Sequence, residues 1–488
     1  MTLKDIIADS GFISVKGDTL TDITDICSDS RKVNPGALFV AVKGCGNDGH
    51  AYIASAIKAG AVAVAYEDDD KIEGIGNVTL VKVRDSRHAV AIMAANFFGN
   101  PSRELTLVGI TGTNGKTTTV TLLYRLFMAA GYNCGLLSTI ANYVGKRRTE
   151  TTNTTSDPIT TNRLMAEMVE AGCEYCFMEA SSIGIEQERI AGLEFKAGIF
   201  SNLTHDHLDY HKTFKEYLRC KKSFFDNLGP EAFAITNIDD KNGLVMTQNT
   251  KAKVVTYSCR SMADHTCKVM EESMDGMLLK IDGKETWTRL IGQHNAYNIL
   301  AIYSTAMALG ADRDELLVAI SGLTSAPGRL ESVKGPNDIT AIIDYAHTPD
   351  ALDNVLKTLR DIDKGKELIC VFGCGGDRDS SKRPEMAKVA EEYSDRIIVT
   401  SDNSRTEDTN KIMEDIRAGF SPKGLRKALF IADRKEAVRT AVMTASAGAV
   451  ILLAGKGHET YQIIGTETRH FDEREVLSEI FSQMTMEE

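Results

Sequence analysis

The sequence predicts an α/β protein of three consecutive domains: an N-terminal mixed α/β domain, a central parallel-sheet domain, and a C-terminal Rossmann-like domain. Three observations carry that expectation. The chain has 488 residues, enough for about three domains of roughly 150 residues. From residue 103 onward, apolar runs of strand length alternate with segments of helical spacing, the pattern of parallel strands with helices on both faces. Turn residues interrupt the chain at Gly99-Asn100-Pro101-Ser102 and at Ala326-Pro327-Gly328-Arg329, which sets the domains at 1–101, 102–328 and 329–488.

In the first domain, Gly36–Gly44 reads as a strand entering a loop, and Tyr52–Gly60 as a helix. The central domain has strand candidates at 105–110, 175–179, 197–202 and 233–237, and helix candidates at 116–130, 159–171, 213–227 and 295–309. In the third, strands are expected at 340–345, 367–373, 396–401, 429–432 and 449–454, with ligand residues at their C-terminal ends.

Composition narrows the class. Hydrophobic residues make up 43% and charged residues 25%, as in an ordinary globular enzyme. A net charge of −12 argues against a general nucleic-acid binder. No apolar run is long enough to span a bilayer, and the N-terminus lacks a signal-peptide core, so a cytoplasmic protein without membrane insertion is expected. Cys173 and Cys176 form a lone CxxC with no second pair at zinc spacing, and Cys370 and Cys374 look like strand-end residues. The ten cysteines therefore read as buried reduced thiols.

The chemistry centres on residues 108–118, Val-Gly-Ile-Thr-Gly-Thr-Asn-Gly-Lys-Thr-Thr. A buried strand runs into this glycine-rich turn, and a helix follows. Backbone N–H groups and the helix N-terminus then face an anion. Gly112, Thr113, Asn114, Gly115 and Thr118 line the P-loop-like cradle, Lys116 supplies a cation, and Thr117 a hydroxyl for Mg2+. ATP is the expected ligand. The loop is shorter than the standard P-loop, because Ile110 stands where its first glycine would be. Glu179 ends the apolar run Tyr175–Met178, where a carboxylate can reach a metal beside the phosphates. Ser201-Asn202-Leu203-Thr204-His205-Asp206-His207-Leu208-Asp209-Tyr210-His211 brings three histidines into seven residues; zinc is one reading, but no cysteine or second histidine pair completes four ligands.

The shortened loop, then Glu179, then the histidine segment, in that order, resemble the Mur ligases and their folate-ligating relatives, which join a carboxylate to an amine with ATP. The likeness covers nearly the whole chain, from about residue 28 to about 474. It implies Mg2+ bound by Thr117, Glu179, His207 and Lys221, the last as N6-carboxylysine, since an ammonium cannot ligate a cation but its CO2 adduct is a carboxylate. Lys116, Lys221, His207 and Arg329 become the catalytic set. Asn295, Arg329, Asp344 and His347 join the loop in binding ATP; Asn298 reads as a local cap or a nucleotide contact.

The resemblance also implies two further small-molecule substrates, and a monomer is expected. UDP-N-acetylmuramoyl-dipeptide would meet Ser28, Ser30, Cys45, Gly46, Asn47, Asn153, Thr154, Thr155, Ser181, Gln187 and Arg189. Ile183 departs from the family, which usually has His after the paired serines. Diaminopimelate would meet Arg378, Asp402, Asn403, Ser404, Arg405, Gly455 and Glu459. The family's diaminopimelate motif is Asp-Asn-Pro-Arg; here Ser404 replaces Pro, and Arg405 keeps the fork that matches a carboxylate. L-lysine is the alternative amino acid.

Overall fold

The computed structural model describes residues 1–487 apart from 45–46, 73–74, 152 and 205–207. The chain divides into two compact units, Met1–His265 with Ala301–Ala311, and Thr266–Leu300 with Asp312–Glu488. Among the described residues, no helix is long and apolar enough to cross a membrane.

The first unit holds two sheets. The N-terminal sheet runs in the order Phe12–Lys16, Thr79–Val83, Ala63–Tyr66, Ala37–Val40, Asp25–Cys27. All but the Phe12–Lys16 edge are parallel. Ala37–Val40 is wholly buried, as its apolar run requires. Tyr52–Gly60 opens differently from the expected single helix: a 3-10 turn at Gly49–Tyr52 precedes the helix Ile53–Ala59, because the Asp48 side chain caps the His50 N–H. Asp85 likewise caps the helix Ser86–Phe97.

The central sheet places Thr106–Thr111 between Tyr175–Glu179 and Ala197–Phe200, all parallel. Cys134–Leu137, Phe233–Asn237 and Lys253–Ser258 extend it in the same sense. The register opposes Ile110 to Glu179 and Thr111 to Phe200, so the turn after Thr111 leaves the sheet beside Glu179 and Ser201. The strand ends at Phe200, short of the predicted 202, because Ser201 and Asn202 turn to bond that loop. A Cβ on Gly109 would lie 2.8 Å from the Phe224 ring. That glycine lets the helix Phe214–Asp226 press onto the sheet, which carries Lys221 to the strand ends.

The antiparallel strands His265–Ser273, Gly276–Ile281 and Lys284–Thr288, which the sequence reading missed, lie in the second unit from Thr266 onward. Its six-stranded sheet follows the order Glu331–Lys334, Thr340–Asp344, Val450–Ala454, Leu368–Phe372, Arg396–Val399, Ala428–Phe430. Only the first strand is antiparallel, so the Rossmann-like expectation holds. Cys370 corrects one expectation: it sits mid-strand in Leu368–Phe372, because both faces of that strand are buried. The hairpin Tyr461–Ile464 with Glu467–His470 follows the last parallel strand.

Candidate active site

In the first unit, the glycine-rich turn is held from below. Gly112 adopts φ 154 and Gly115 φ 86. A Cβ on Gly112 would fall 2.0 Å from Ser201 Oγ, so only glycine fits there. Asn202 Oδ1 accepts the Asn114 N–H at 2.9 Å, and Ser201 Oγ donates to the Asn114 carbonyl at 2.7 Å. Thr113 Oγ1 accepts the Thr204 N–H at 3.0 Å and lies 3.1 Å from the Tyr217 hydroxyl. Thr117 and Thr118 start the helix Lys116–Ala129, whose first turn has no side-chain cap. Lys116 Nζ donates to the Gly112 and Thr113 carbonyls at 2.9 and 2.8 Å.

Lys221 reaches the same turn from the helix Phe214–Asp226. It is 1% exposed, and its Nζ donates to the Gly112 carbonyl at 2.8 Å and lies over the Tyr217 ring. Glu179, also 1% exposed, accepts the Thr139 N–H on Oε1 at 2.8 Å. Its Oε2 is buried and has no hydrogen-bond partner among the described residues. A bare buried carboxylate oxygen beside a phosphate cradle fits a hard cation such as Mg2+. His207, with His205 and Asp206, lies outside the described residues.

A cleft of about 260 Å³ opens in the same unit, lined in part by Ser28, Gly44, Asn153, Gln187 and Arg189. Arg189 is fixed by bonds to Gln187 Oε1 and, at 2.7 Å, to the Thr155 carbonyl. Thr155 Oγ1 donates to the Glu179 carbonyl and accepts the Ser181 N–H, while Ser181 caps the helix Ser182–Glu186. Thr139 Oγ1 donates to Thr154 Oγ1 at 3.1 Å. Arg189, Thr155 and Ser181 connect the cleft to the strand end at Glu179. Ser30 begins a 3-10 turn capped by Asp29, whose carboxyl the bonded Arg31 lowers to about 2. The Asn47 carbonyl accepts the Gly44 N–H; Cys45 and Gly46 between them lie outside the described residues. Ile183 is partly buried in its short helix.

Sequence reasoning missed what supports this cleft. Arg87 lines it beside Arg189. Buried His50 anchors the following loop: Nε2 accepts the Glu67 N–H at 2.9 Å, so Nδ1 carries the proton toward Asp48 at 2.6 Å. Glu67 then accepts the Ser86 N–H, and Ser86 Oγ the Lys43 N–H. Asp85-Ser86-Arg87 after a strand was the available signal.

In the second unit, Gly328 at φ 65 packs so tightly that a Cβ would lie 2.1 Å from the Gly457 backbone. Arg329 stacks over the Tyr345 ring at 4.7 Å, and its buried Nε has no hydrogen-bond partner among the described residues. Burial pushes the Asp344 carboxyl up, against Arg329 and two backbone donors, the Leu330 and Ala346 N–H groups at 2.7 and 2.8 Å. His347 is exposed, its Nδ1 2.8 Å from the Tyr345 carbonyl. Asn295 is buried; its amide donates to the Ile291 carbonyl and accepts from Asn298.

The loops after Phe372, Val399 and Ala454 converge at the end of that sheet. Asp402, Asn403 and Ser404 are buried, and a Cβ on Gly455 would lie 3.2 Å from Asp402 Oδ2. The Ser404 carbonyl accepts the Glu407 N–H. Asn403 Nδ2 donates to Glu459 Oε2 at 2.9 Å. Arg405, in the left-handed region at φ 50, donates from Nη1 to the Gly376 carbonyl at 2.8 Å; Arg378 is exposed. Behind these loops, fully buried Arg434 bonds Glu473 and the Ser401 and Ala454 carbonyls.

Three family models match consecutive stretches of the chain: the Mur ligase family catalytic domain over 22–98, the Mur ligase middle domain over 110–306, and the Mur ligase glutamate ligase domain over 328–457. The chain is 51% identical to UDP-N-acetylmuramoyl-L-alanyl-D-glutamate–2,6-diaminopimelate ligase of Phocaeicola vulgatus and 49% identical to that of Cytophaga hutchinsonii. Each alignment covers 99% of this chain and 100% of the relative. A solved structure of a ligase of the same name superposes with TM-score 0.70 at 29% identity, over 99% of both chains. A folylpolyglutamate synthase of Mycobacterium tuberculosis shares the fold at TM-score 0.60 and 18% identity, over 74% of this chain and 91% of that one. Half-identity to full-length ligases, with family models spanning the sequence, makes this chain a member of the Mur ligase family.

Proposed function

We infer that this chain is an ATP-dependent ligase that adds meso-2,6-diaminopimelate to UDP-N-acetylmuramoyl-L-alanyl-D-glutamate. The buried Oε2 of Glu179, without a hydrogen-bond partner among the described residues and on a strand in register with the one that enters the phosphate turn, is the observation that carries the ATP chemistry. Half-identity to relatives of that name carries the choice of substrates and favours diaminopimelate over L-lysine. The domains 1–101, 102–328 and 329–488 would hold the UDP-sugar, ATP and the amino acid. A monomer suffices for this reading, and dependence on ATP suits the cytoplasm.

In the first step an oxygen of the D-glutamate carboxylate attacks the γ-phosphorus of ATP. The bond to ADP breaks and an acyl phosphate forms. Lys116 offsets charge on the transferring group, and Arg329 is the second cation that the family likeness assigns to ATP. Thr117, Glu179, His207 and carboxylated Lys221 would hold Mg2+, which neutralises phosphate charge. N6-carboxylysine keeps one N–H, enough for the Lys221 bond to the Gly112 carbonyl. In the second step a diaminopimelate amine attacks the acyl carbon, phosphate leaves, and the amine loses a proton. No protein nucleophile is needed, so positioning supplies much of the rate. Arg87 and Arg189 suit the anionic end of the UDP-sugar, and Arg405 the distal carboxylate of the amino acid.

Mass spectrometry of the product tests this. With ATP, the muramoyl dipeptide and diaminopimelate, one amide-linked tripeptide should form per ADP and per phosphate. Lys116→Ala should lower turnover by about a hundredfold or more. ADP without tripeptide, or normal turnover in the variant, would count against the assignment.

A further inference from the structure

The second unit buries a lysine that neither step uses. Lys456 lies between Gly455 and Gly457, both at positive φ, with no exposed surface. Its Nζ donates to Glu459 Oε2 at 2.8 Å and to Asn403 Oδ1 at 3.2 Å, and lies 3.6 Å from Asp402 Oδ1. Its other near neighbour is the Tyr461 ring, 5.6 Å away. The Asn403 amide closes the circuit: Nδ2 donates to that same Glu459 oxygen, and Oδ1 also accepts the Ile463 N–H at 2.9 Å.

Burying an ammonium is unfavourable unless it is paired and bonded, and this one is paired with two carboxylates. The arrangement acts on Glu459. Oε2 takes both inward bonds, whereas Oε1 has no hydrogen bond to any described residue. Without Lys456, Asp402 and Glu459 would be two carboxylates with no shared cation. Like charges at that range disfavour ionisation of one of them and push the pair apart.

We propose that Lys456 is a positioning residue for the second substrate. It holds Glu459 ionised with one oxygen turned inward, so that the other receives the distal ammonium of diaminopimelate while Arg405 takes the distal carboxylate. The proposal rests on the reading that these loops take diaminopimelate. Asn403 then acts as a strut between Lys456, Glu459 and the hairpin strand at Ile463, as well as lining the crevice.

The test is steady-state phosphate release by the full chain and by Lys456→Met. The KM for diaminopimelate should rise about tenfold or more, with a smaller fall in kcat at saturation. KM values for ATP and the muramoyl dipeptide should stay within about twofold, as their residues lie on other loops. In Lys456→Met with Glu459→Gln, the second change should cost little more, because the two side chains act as one unit. If Lys456→Met does not fold, Lys456→Gln, which keeps a donor toward Glu459 but removes the charge, should raise the diaminopimelate KM in the same selective way. An unchanged diaminopimelate KM, or an equal rise for all three substrates, overturns the role of Lys456. A wild-type chain inert toward diaminopimelate instead overturns the reading it rests on, and the ligand named here with it.

Discussion

Lys116 and Lys221 both donate to one carbonyl oxygen, that of Gly112. Two lysine side chains reach the turn because Gly112 lets the chain pass against Ser201 and because Gly109 lets the Lys221 helix lie on the sheet. At this scale side-chain chemistry sets two expectations. Arg405→Ala should strand the distal carboxylate of diaminopimelate in a partly dry crevice, at a cost of roughly 2–5 kcal/mol in kcat/KM for that substrate. Steady-state kinetics should find L-lysine use almost unmoved, since it has no carboxylate to lose; an equal fall for both would refute the fork. The second expectation concerns His294, on the first turn of the helix Gln293–Ala308. Burial pushes its pKa down to about 4. The folded ring stays neutral while the unfolded ring binds a proton near its ordinary value, so its contribution is intact above about pH 6.5 and lost as pH falls toward about 4. Urea unfolding of His294→Asn should lose less stability across that window than wild type, by roughly 1–3 kcal/mol once partial exposure is discounted. Parallel pH profiles would contradict it.

Among the elements, the C-terminal sheet shows how loops at strand ends are tied together. Arg434 and Glu473 are both fully buried, and Arg434 also bonds the Ser401 and Ala454 carbonyls at the ends of two strand segments. Arg434→Met should strand the Glu473 carboxylate and destabilise the second unit by roughly 3–5 kcal/mol. A urea midpoint that moves by less than the equivalent of about 1 kcal/mol would show that the ion pair is dispensable. The strands of this sheet were legible because fully buried parallel strands read as continuous apolar runs, as in Ala449–Ala454. The strands from His265 to Thr288 were not, because the first buries only Cys267 and carries an irregularity between Val269 and Glu271 that breaks the two-residue period. Among site residues, the glycine-rich turn and Glu179 were legible from local spacing. The His50 anchor and the Lys456 circuit were not, because each joins residues far apart in sequence, Lys456 and Asn403 being 53 positions apart. The Asn295–Asn298 hydrogen bond was half legible: one reading of Asn298 was local, and it is to Asn295 that its amide donates.

At the scale of the whole molecule, three anionic or zwitterionic substrates must be bound by a chain whose net charge is −12. Local cations at each crevice therefore matter more than the total, because screening is strong beyond about 8 Å at physiological salt. Arg87 and Arg189 line one cleft, Lys116 stands at the phosphate turn, and Arg405 stands at the C-terminal loops. The central claim is that these sites serve one amide-forming reaction with diaminopimelate as the acceptor. The measurement that tests it most directly is steady-state phosphate release by the wild-type chain with ATP and the muramoyl dipeptide, offered diaminopimelate or L-lysine in separate reactions. The account predicts rapid release with diaminopimelate, a kcat/KM for L-lysine lower by about thirtyfold or more, and almost no release when either amino acid or the dipeptide is omitted. Preference for L-lysine would contradict the specificity, and release that needs no amino acid would contradict the ligase account itself.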